Sequence, residues 1–343
     1  MTETQRFTRE EALALARRAC RGAGASEAAA VSLAEATVSA EACGQSSVGF
    51  AHLVDYLTSF VEGRINGTAE PVISFPASAL VQVDARGGIA QLGFDRAFGE
   101  LSGRARRQGV AIFAQRNSYS TGELGYYVRR LAVADLLGLA MSNGPALMAP
   151  PGVKQAVYCT NPIAFAAPGQ NRPSLLLDQA SSATAFVKIR EAAARGEALP
   201  EGWAIDADGA PTTDPASALK GLLLTFGGAR GANIALMVEM MAAGLTGANW
   251  SLDAPNFDSG HRSPGAGLLV IAVAPQLFDQ SFVTRVQRHL QHLARLGVHV
   301  PGWAKADRES RAASEGFSLP VALVERIAAF ALEEGPARDR ESN

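Results

Sequence analysis

Cysteine is scarce in this 343-residue chain: Cys20, Cys43 and Cys159 lie far apart and make no C-x-x-C pair. That excludes a disulfide framework and a cysteine zinc site, and it fits a reducing cytoplasmic location. Charge of one sign is missing as well, since 31 Lys and Arg against 33 Asp and Glu leave a formal net charge of -2. A nucleic-acid clamp or a disordered tail would need a far stronger imbalance. No uninterrupted apolar run approaches the ~18 residues of a membrane span. The opening MTETQRFTREE is charged and lacks an apolar h-region, so no signal peptide is expected. Familiar chemical signatures are absent too. There is no G-x-G-x-x-G after a strand, no Walker A lysine, no H-E-x-x-H and no G-x-S-x-G elbow. His289 and His292 share a helix face without a third ligand nearby, which reads as a solvated amphipathic face, and no metal site is expected.

What is present is a hydrophobic content of 48%, enough for sizeable cores, in a chain long enough for two packed domains of ~150 residues each. Thr8 with Glu11 makes a capping box, and Leu13, Ala16 and Ala19 keep helical spacing until Gly22. Ser26 caps a second helix that ends at Gly44. A third, FAHLVDYLTSFVEG, follows the loop at once, so the first sixty-odd residues read as a helical cap. SALVQVDA alternates as a strand, and a helix from Asp95 to Arg107 and the buried strand VAIFAQR follow. Beyond a polar loop and helix come the strand LGLAMSNG, the segment YCTNPIAFAAPG, the strand ending LLLDQASS, a helix through KIREAAARG, and a connector rich in proline and aspartate. GLLLTFGGARGANIALMVEMMAAGLTG is a strand, a glycine turn and an all-round apolar helix, which predicts burial, in the chain or against a second subunit. GLLVIAVAPQLF is another strand, and two amphipathic helices close the chain around PGWAKADRES. Strands and helices mix without a strict βαβ rhythm, so the class is α/β.

Three segments have the build of ligand-touching loops. GQSSVGFAHL, from Gly44 to Leu53, is small, polar and glycine-bounded, and its first titratable group is His52. Gly227 to Asn233 places two glycines before Arg230 at the start of a helix, either a phosphate cradle or an ordinary tight turn. Thr160 precedes an Asn-Pro turn and faces a ligand or bonds its own turn.

Taken together, Thr160 to Pro168, LLLDQASS, LPEGWAIDADGAPTTDP, the Gly227–Gly231 turn and ALMVEMMAAGLTGAN resemble one family along nearly the whole chain. It is the non-Rossmann malate/L-lactate dehydrogenase-like family of NAD(P)-dependent oxidoreductases, in particular its cyclic ketimine reductases. The resemblance implies a largely antiparallel central sheet behind the N-terminal helical cap, usually in a homodimer, with the active site in a cleft between domains. It implies a substrate-domain part over residues 1–116, an NAD(P)-binding domain over 117–285, and C-terminal helices over 286–343 that return to the first. Tyr119, Ser120, Thr121, Gly122 and Glu123 should lie along the cofactor, with Asp178, Gln179, Ala180, Ala229 and Arg230 at the nucleotide. Lys305 should reach its phosphates, and Thr160 falls where members touch substrate.

The departures fall on the chemistry. The family's Ser-His-Gly, with the histidine as proton donor, is here Ser47-Val48-Gly49, and His52 takes the place of the arginine that holds the substrate carboxylate. Its Asn-Ser-His-His is here Asn117-Ser118-Tyr119-Ser120, and Trp303 and Ala304 replace its glutamate and arginine after Pro-Gly. A ketone needs a placed acid, typically worth ~10²–10⁴ in rate. An imine nitrogen is basic enough to arrive protonated. The favoured reading is therefore an NAD(P)H-dependent reductase of a cyclic ketimine carboxylate of the Δ1-pyrroline- or Δ1-piperideine-2-carboxylate type, although the family's ketimine reductases keep that histidine. The alternatives are a 2-hydroxy-acid dehydrogenase of the malate, lactate or sulfolactate kind and a repurposed protein without activity. Candidate catalytic residues are Ser47, His52, Tyr119 and Lys188, with Thr160 and His52 on the substrate. His52 can serve as cation for the carboxylate and as proton source. NADPH is favoured over NADH because Arg230 and Lys305 read as spare cations and no ribose-binding acid is evident.

Overall fold

In the computed structural model, which describes residues 3–332, the first helices start where the sequence caps them. Thr8 Oγ1 accepts from Glu11 N at 3.2 Å and Glu11 Oε2 accepts from Thr8 N at 2.8 Å, so the capping box opens α1 (Arg9–Gly22). Ser26 Oγ accepts from Ala29 N to open α2 (Glu27–Ala42). Small side chains at Ala29, Ala30, Ala34 and Ala40 leave α2 buried on several faces. α3 (Phe50–Val61) adds Phe50, Leu53, Leu57 and Phe60 to the same core.

Strand Thr4–Phe7 pairs antiparallel with Phe317–Pro320, and helix Val321–Leu332 packs back onto α1. The approach is close at Gly22, where a Cβ would stand 1.9 Å from Phe330 O. The last described helix thus rests on the first. Residues 1–2 and 333–343, the extremes of the first and last expected units, lie outside the described residues.

The main sheet has seven strands, β1 (Val72–Ala77), β2 (Leu80–Asp84), β3 (Val110–Ser118), β4 (Leu137–Ser142), β5 (Ile163–Ala167), β6 (Leu175–Gln179) and β7 (Ala266–Val273). Their order is β1-β2-β3-β7-β4-β5-β6, antiparallel throughout except β2 against β3. β7 is central, with Val270 opposite Phe113 on one side and Ala140 on the other. Buried on both faces, its run of apolar residues needs no alternation. A smaller sheet joins Met148–Ala149, Ala204–Ile205, Pro211–Thr212 and Leu222–Leu224 over a separate core with Ile189 and Leu199. The sheet is largely antiparallel, as the resemblance implies. Among the described residues, no helix is long and apolar enough to cross a membrane.

Two elements differ from their expected form. α4 (Ala90–Gln108) starts five residues before Asp95 with no side-chain cap. Packing decides its start: Gly93 lies so near β3 that a Cβ would come 2.0 Å from Gln115 Oε1. The apolar helix Ala229–Glu239, continued as a π-turn through Met240–Gly244, is not enclosed by its own chain. Leu236, Met237 and Met240 are 45%, 41% and 46% exposed.

Under the sheet, Phe94 is fully buried and meets Phe98, Phe113 and α5 (Gly125–Val133) through Tyr127, all edge-on at 5.0–5.6 Å. Phe94→Ala should cost about 3–5 kcal/mol of stability in denaturant unfolding, while Phe75→Ala, at a half-exposed ring, should cost under ~1 kcal/mol. Equal losses would mean that this cluster does not anchor the sheet.

Candidate active site

The glycine-bounded loop is shaped by a residue outside it. Glu41, 8% exposed in the last turn of α2, accepts from Ser46 Oγ at 2.5 Å and from Phe50 N at 3.1 Å. A Cβ at Gly49 would press to 2.5 Å from Glu41 Oε2, so glycine is required for the clamp to close. Phe50 N is an otherwise orphaned donor at the start of α3, and the carboxylate satisfies it. The tethered hydroxyl is that of Ser46. Ser47 is exposed and Val48 is half-buried.

α3 then docks onto the segment after β3. Tyr56 Oη donates to Ser120 O at 3.2 Å and accepts from Gln91 Nε2 at 3.1 Å, which also donates to Thr121 O. Ser59 Oγ donates to Tyr119 Oη at 2.8 Å, and Tyr119 Oη donates to Phe257 O. Tyr119 is 1% exposed and burial raises its phenol above the ordinary range. Its proton is committed to a carbonyl, that of Phe257. His52 lies over this seam. Its Nδ1 is 2.9 Å from Asp55 Oδ2, its Nε2 is 3.4 Å from Ser120 Oγ, and its ring stands edge-on to Tyr56.

A second group gathers expected cofactor residues. Glu123 forms a buried ion pair with Arg129 at 3.0 Å, and Lys305 Nζ lies 3.7 Å from the same carboxylate. Asp178 Oδ2 accepts from Gly125 N at 2.8 Å. Burial pushes the Asp178 carboxyl up to about 6, Glu123 adds to the rise, and Lys305 opposes it. Lys305 is therefore already paired with an acid, which corrects its reading as a spare cation. Arg230 does fit that reading: it is exposed and has no ion pair among the described residues. Gly227 and Gly228, both at positive φ, lead into an uncapped helix start at Ala229. They line a groove with Pro151, Ala183 and Trp203.

Between these groups runs the segment after β6. Ser181 N donates to Thr160 O at 2.7 Å and Phe226 N donates to Ser181 O at 3.0 Å, tying Thr160 and Ala180 to the glycine turn. Asn161 holds a positive φ of 37° and is fully buried. Its Nδ2 donates to Ala235 O and to Glu239 Oε2, both at 2.8 Å. Glu239 also accepts from Ser251 N and Oγ, and Ser251 Oγ accepts from Cys159 N. The structure thus joins Glu123, Asp178 and Lys305, and separately His52 with Ser120. It leaves Lys188 exposed on α6 (Phe186–Arg195), without a hydrogen bond or ion pair to either group. Gln179 is exposed at the end of β6.

Sequence reasoning missed Glu41, Asp55, Arg129, Asn161 and Glu239. A lone carboxylate in an otherwise apolar helix was the available signal for Glu239, because acids are almost never fully buried unless partnered; Glu41, one of three glutamates in α2, had no such signal. No signal in the sequence pairs Asp55 with His52 beyond their helical spacing.

An uncapped helix start with an arginine, a lysine-bearing acidic cluster and a strand end are carried on one largely antiparallel α/β fold. Residues 7–328 match the malate/L-lactate dehydrogenase family, and the chain belongs to it. It is 36% identical over 302 residues to a (2R)-3-sulfolactate dehydrogenase (NADP(+)) from Chromohalobacter salexigens, covering 87% of this chain and 90% of that protein. A Δ1-pyrroline-2-carboxylate/Δ1-piperideine-2-carboxylate reductase from Pseudomonas putida is likewise 36% identical over 303 residues, covering 86% and 88%. The crystal structure of δ1-piperideine-2-carboxylate reductase from Pseudomonas syringae pvar. tomato superposes with a TM-score of 0.90 at 35% identity, covering 95% and 100%.

Asp178 makes stability pH-dependent. Its carboxyl is raised in the fold, so the folded state binds the proton more tightly and stability is lost as pH climbs from about 4 to about 6. Asp178→Asn keeps the acceptor for Gly125 N and removes this penalty. Relative to the parent, the variant should gain about 1–3 kcal/mol across that window and hold the gain above it. A difference constant from pH 4 to 8, in unfolding followed by circular dichroism, would show that Asp178 is not perturbed.

Proposed function

We propose that this protein is an NADPH-dependent reductase of a cyclic ketimine carboxylate, of the Δ1-pyrroline- or Δ1-piperideine-2-carboxylate type. What supports the reading is the Ser47-Val48-Gly49 loop, in which by resemblance Val48 falls where the family keeps its proton-donating histidine, in a chain whose relatives include reductases of such imines. Reduced nicotinamide supplies hydride to carbon. With a ketone the residual charge falls on an alkoxide and calls for a placed acid. With an imine it falls on a nitrogen that can bind a proton beforehand, so loss of the histidine penalises ketones more.

In this reading the nucleotide lies along Ser120 to Glu123, with Asp178, Gln179 and Ala180 beside it. The Ala229–Arg230 helix start and Lys305 take its phosphates. Arg230 alone supports the NADPH preference, since Lys305 is held by Glu123. One close relative is named for NADP(+). Thr160 borders the substrate and His52 is the cation nearest the expected carboxylate position, although Asp55 already shares its charge. A homodimer is supported by the exposed ridge of Leu236, Met237, Met240, Leu245 and Trp250. Three free, buried thiols support a cytoplasmic location.

A second reading, oxidation of a 2-hydroxy acid, has one specific support: the sulfolactate dehydrogenase relative is as similar as the imine reductase. NADPH oxidation followed against cyclic imines and 2-keto acids separates the two. Turnover of the imines well above the keto acids is expected, and the reverse order would replace the first reading by the second. Val48→His should raise keto-acid turnover by about 10²-fold or more and imine turnover far less. Arg230→Glu should raise KM for NADPH about 10- to 100-fold, and KM for NADH by much less. Equal effects on both nucleotides would remove the stated preference.

A further inference from the structure

We infer that Asp55, His52 and Ser120 form a proton relay whose donor to the substrate is Ser120 Oγ. The inference rests on the imine-reductase reading and adds to it the origin of the proton. Three groups from two elements line up: Asp55 Oδ2 to His52 Nδ1 at 2.9 Å, and His52 Nε2 to Ser120 Oγ at 3.4 Å. Asp55 is exposed, His52 is partly exposed and Ser120 is 9% exposed, so the line runs from solvent inward. The carboxylate at Nδ1 fixes the tautomer with Nε2 toward the hydroxyl and stabilises the imidazolium, which makes Asp55 and His52 positioning and recharging residues.

Ser120 is held for this role on its other sides. Its carbonyl accepts from Tyr56 Oη, and its Oγ accepts from Gly122 N at 3.3 Å. With Gly122 N donating to one lone pair and imidazolium Nε2–H to another, the hydroxyl proton is free to point at a substrate nitrogen. Gly122 holds a φ of 64°, and a Cβ there would stand 3.2 Å from Gln91 Nε2, so the turn that aims its N–H suits glycine.

The groups that face His52 come from both sides of the seam. On α3 they are Asp55 and Tyr56; across the seam stands Tyr119, with Arg64 behind it on Ser59 Oγ. Burial raises both phenols above their ordinary range, so neither titrates near neutrality.

The proton balance closes. Hydride from a reduced nicotinamide nucleotide reaches the imine carbon, the C=N π pair becomes the nitrogen lone pair, and that pair takes the Ser120 Oγ proton. Ser120 recovers a proton from His52 Nε2, and His52 recovers one from solvent. An imine that arrives protonated bypasses the relay, whereas a neutral one, dominant from neutrality upward, depends on it.

The test is the pH profile of imine reduction at saturating NADPH for the parent, Ser120→Ala, His52→Gln and the double variant. Quenching of tryptophan fluorescence by NADPH verifies that each variant is folded. The relay predicts losses that grow from a few-fold near pH 5.5, where the imine arrives protonated, to about 100-fold near neutrality, with the double variant no worse than the worse single one. Ser120→Thr, which keeps a hydroxyl, should restore the alkaline limb. Uniform losses that parallel the parent profile, or losses that multiply in the double variant, would overturn the relay while leaving the imine-reductase reading intact. If the parent turns over only 2-keto acids, that reading falls and the relay is judged on those substrates. There, loss at every pH supports it and an unchanged rate contradicts it.

Discussion

The docking of α3 onto the Tyr119–Gly122 segment is the contact on which the candidate site depends. One face of one helix supplies His52, Tyr56 and Ser59, spaced three and four residues apart. Each meets the same short segment: His52 at the Ser120 side chain, Tyr56 at its carbonyl, and Ser59 at the Tyr119 hydroxyl. Because the Tyr56 and Ser59 bonds are buried and each group has a partner, breaking either leaves an unpaired polar atom, at about 1–3 kcal/mol. The seam therefore holds the helical cap against the sheet and fixes, by the same bonds, the distance between the glycine-bounded loop and the Ser120–Glu123 segment.

Two buried carboxylates set the loops at either side. Glu41 folds the Ser46–Gly49 turn onto the end of α2, and Glu239 draws Asn161 and Ser251 beneath the Thr160 turn. The principle is the same in both places: an acid in a mostly apolar helix satisfies backbone and amide donors that a tight loop would otherwise strand. Both loops thereby gain fixed shapes while keeping small, uncharged surfaces. At the Glu123–Arg129–Lys305 group the arrangement differs, because opposite charges are buried together and Asp178 beside them is left with a raised carboxyl. Removal of one partner there would strand a charge.

Much of the fold is legible in the sequence where a local rule and the tertiary structure agree. Thr8 with Glu11 and Ser26 begin helices as their caps require. The apolar run of β7 and the co-linear family segments give the right sheet. Where packing overrides local preference, the reading slips. Asp95 looks like a helix start, but α4 begins at Ala90 because Gly93 can press against β3. Lys305 and Tyr119 look available in a linear reading, and both are committed to partners distant in sequence. The site was legible as loops but not as pairs. No spacing rule joins His52 to Ser120 across 68 residues, and Ser120 entered as a cofactor contact only by family position.

The central claim is that substrate sits at the seam between α3 and the Ser120 segment. A crystal structure with NADP+ and pyridine-2-carboxylate, a planar mimic of the cyclic imine whose ring nitrogen keeps an in-plane lone pair to accept a hydrogen bond, tests it directly. The account predicts the ring nitrogen within hydrogen-bonding distance of Ser120 Oγ and the carboxylate on the His52 and Ser47 side. A ring seated away from this seam, or turned with its nitrogen from Ser120, would contradict it.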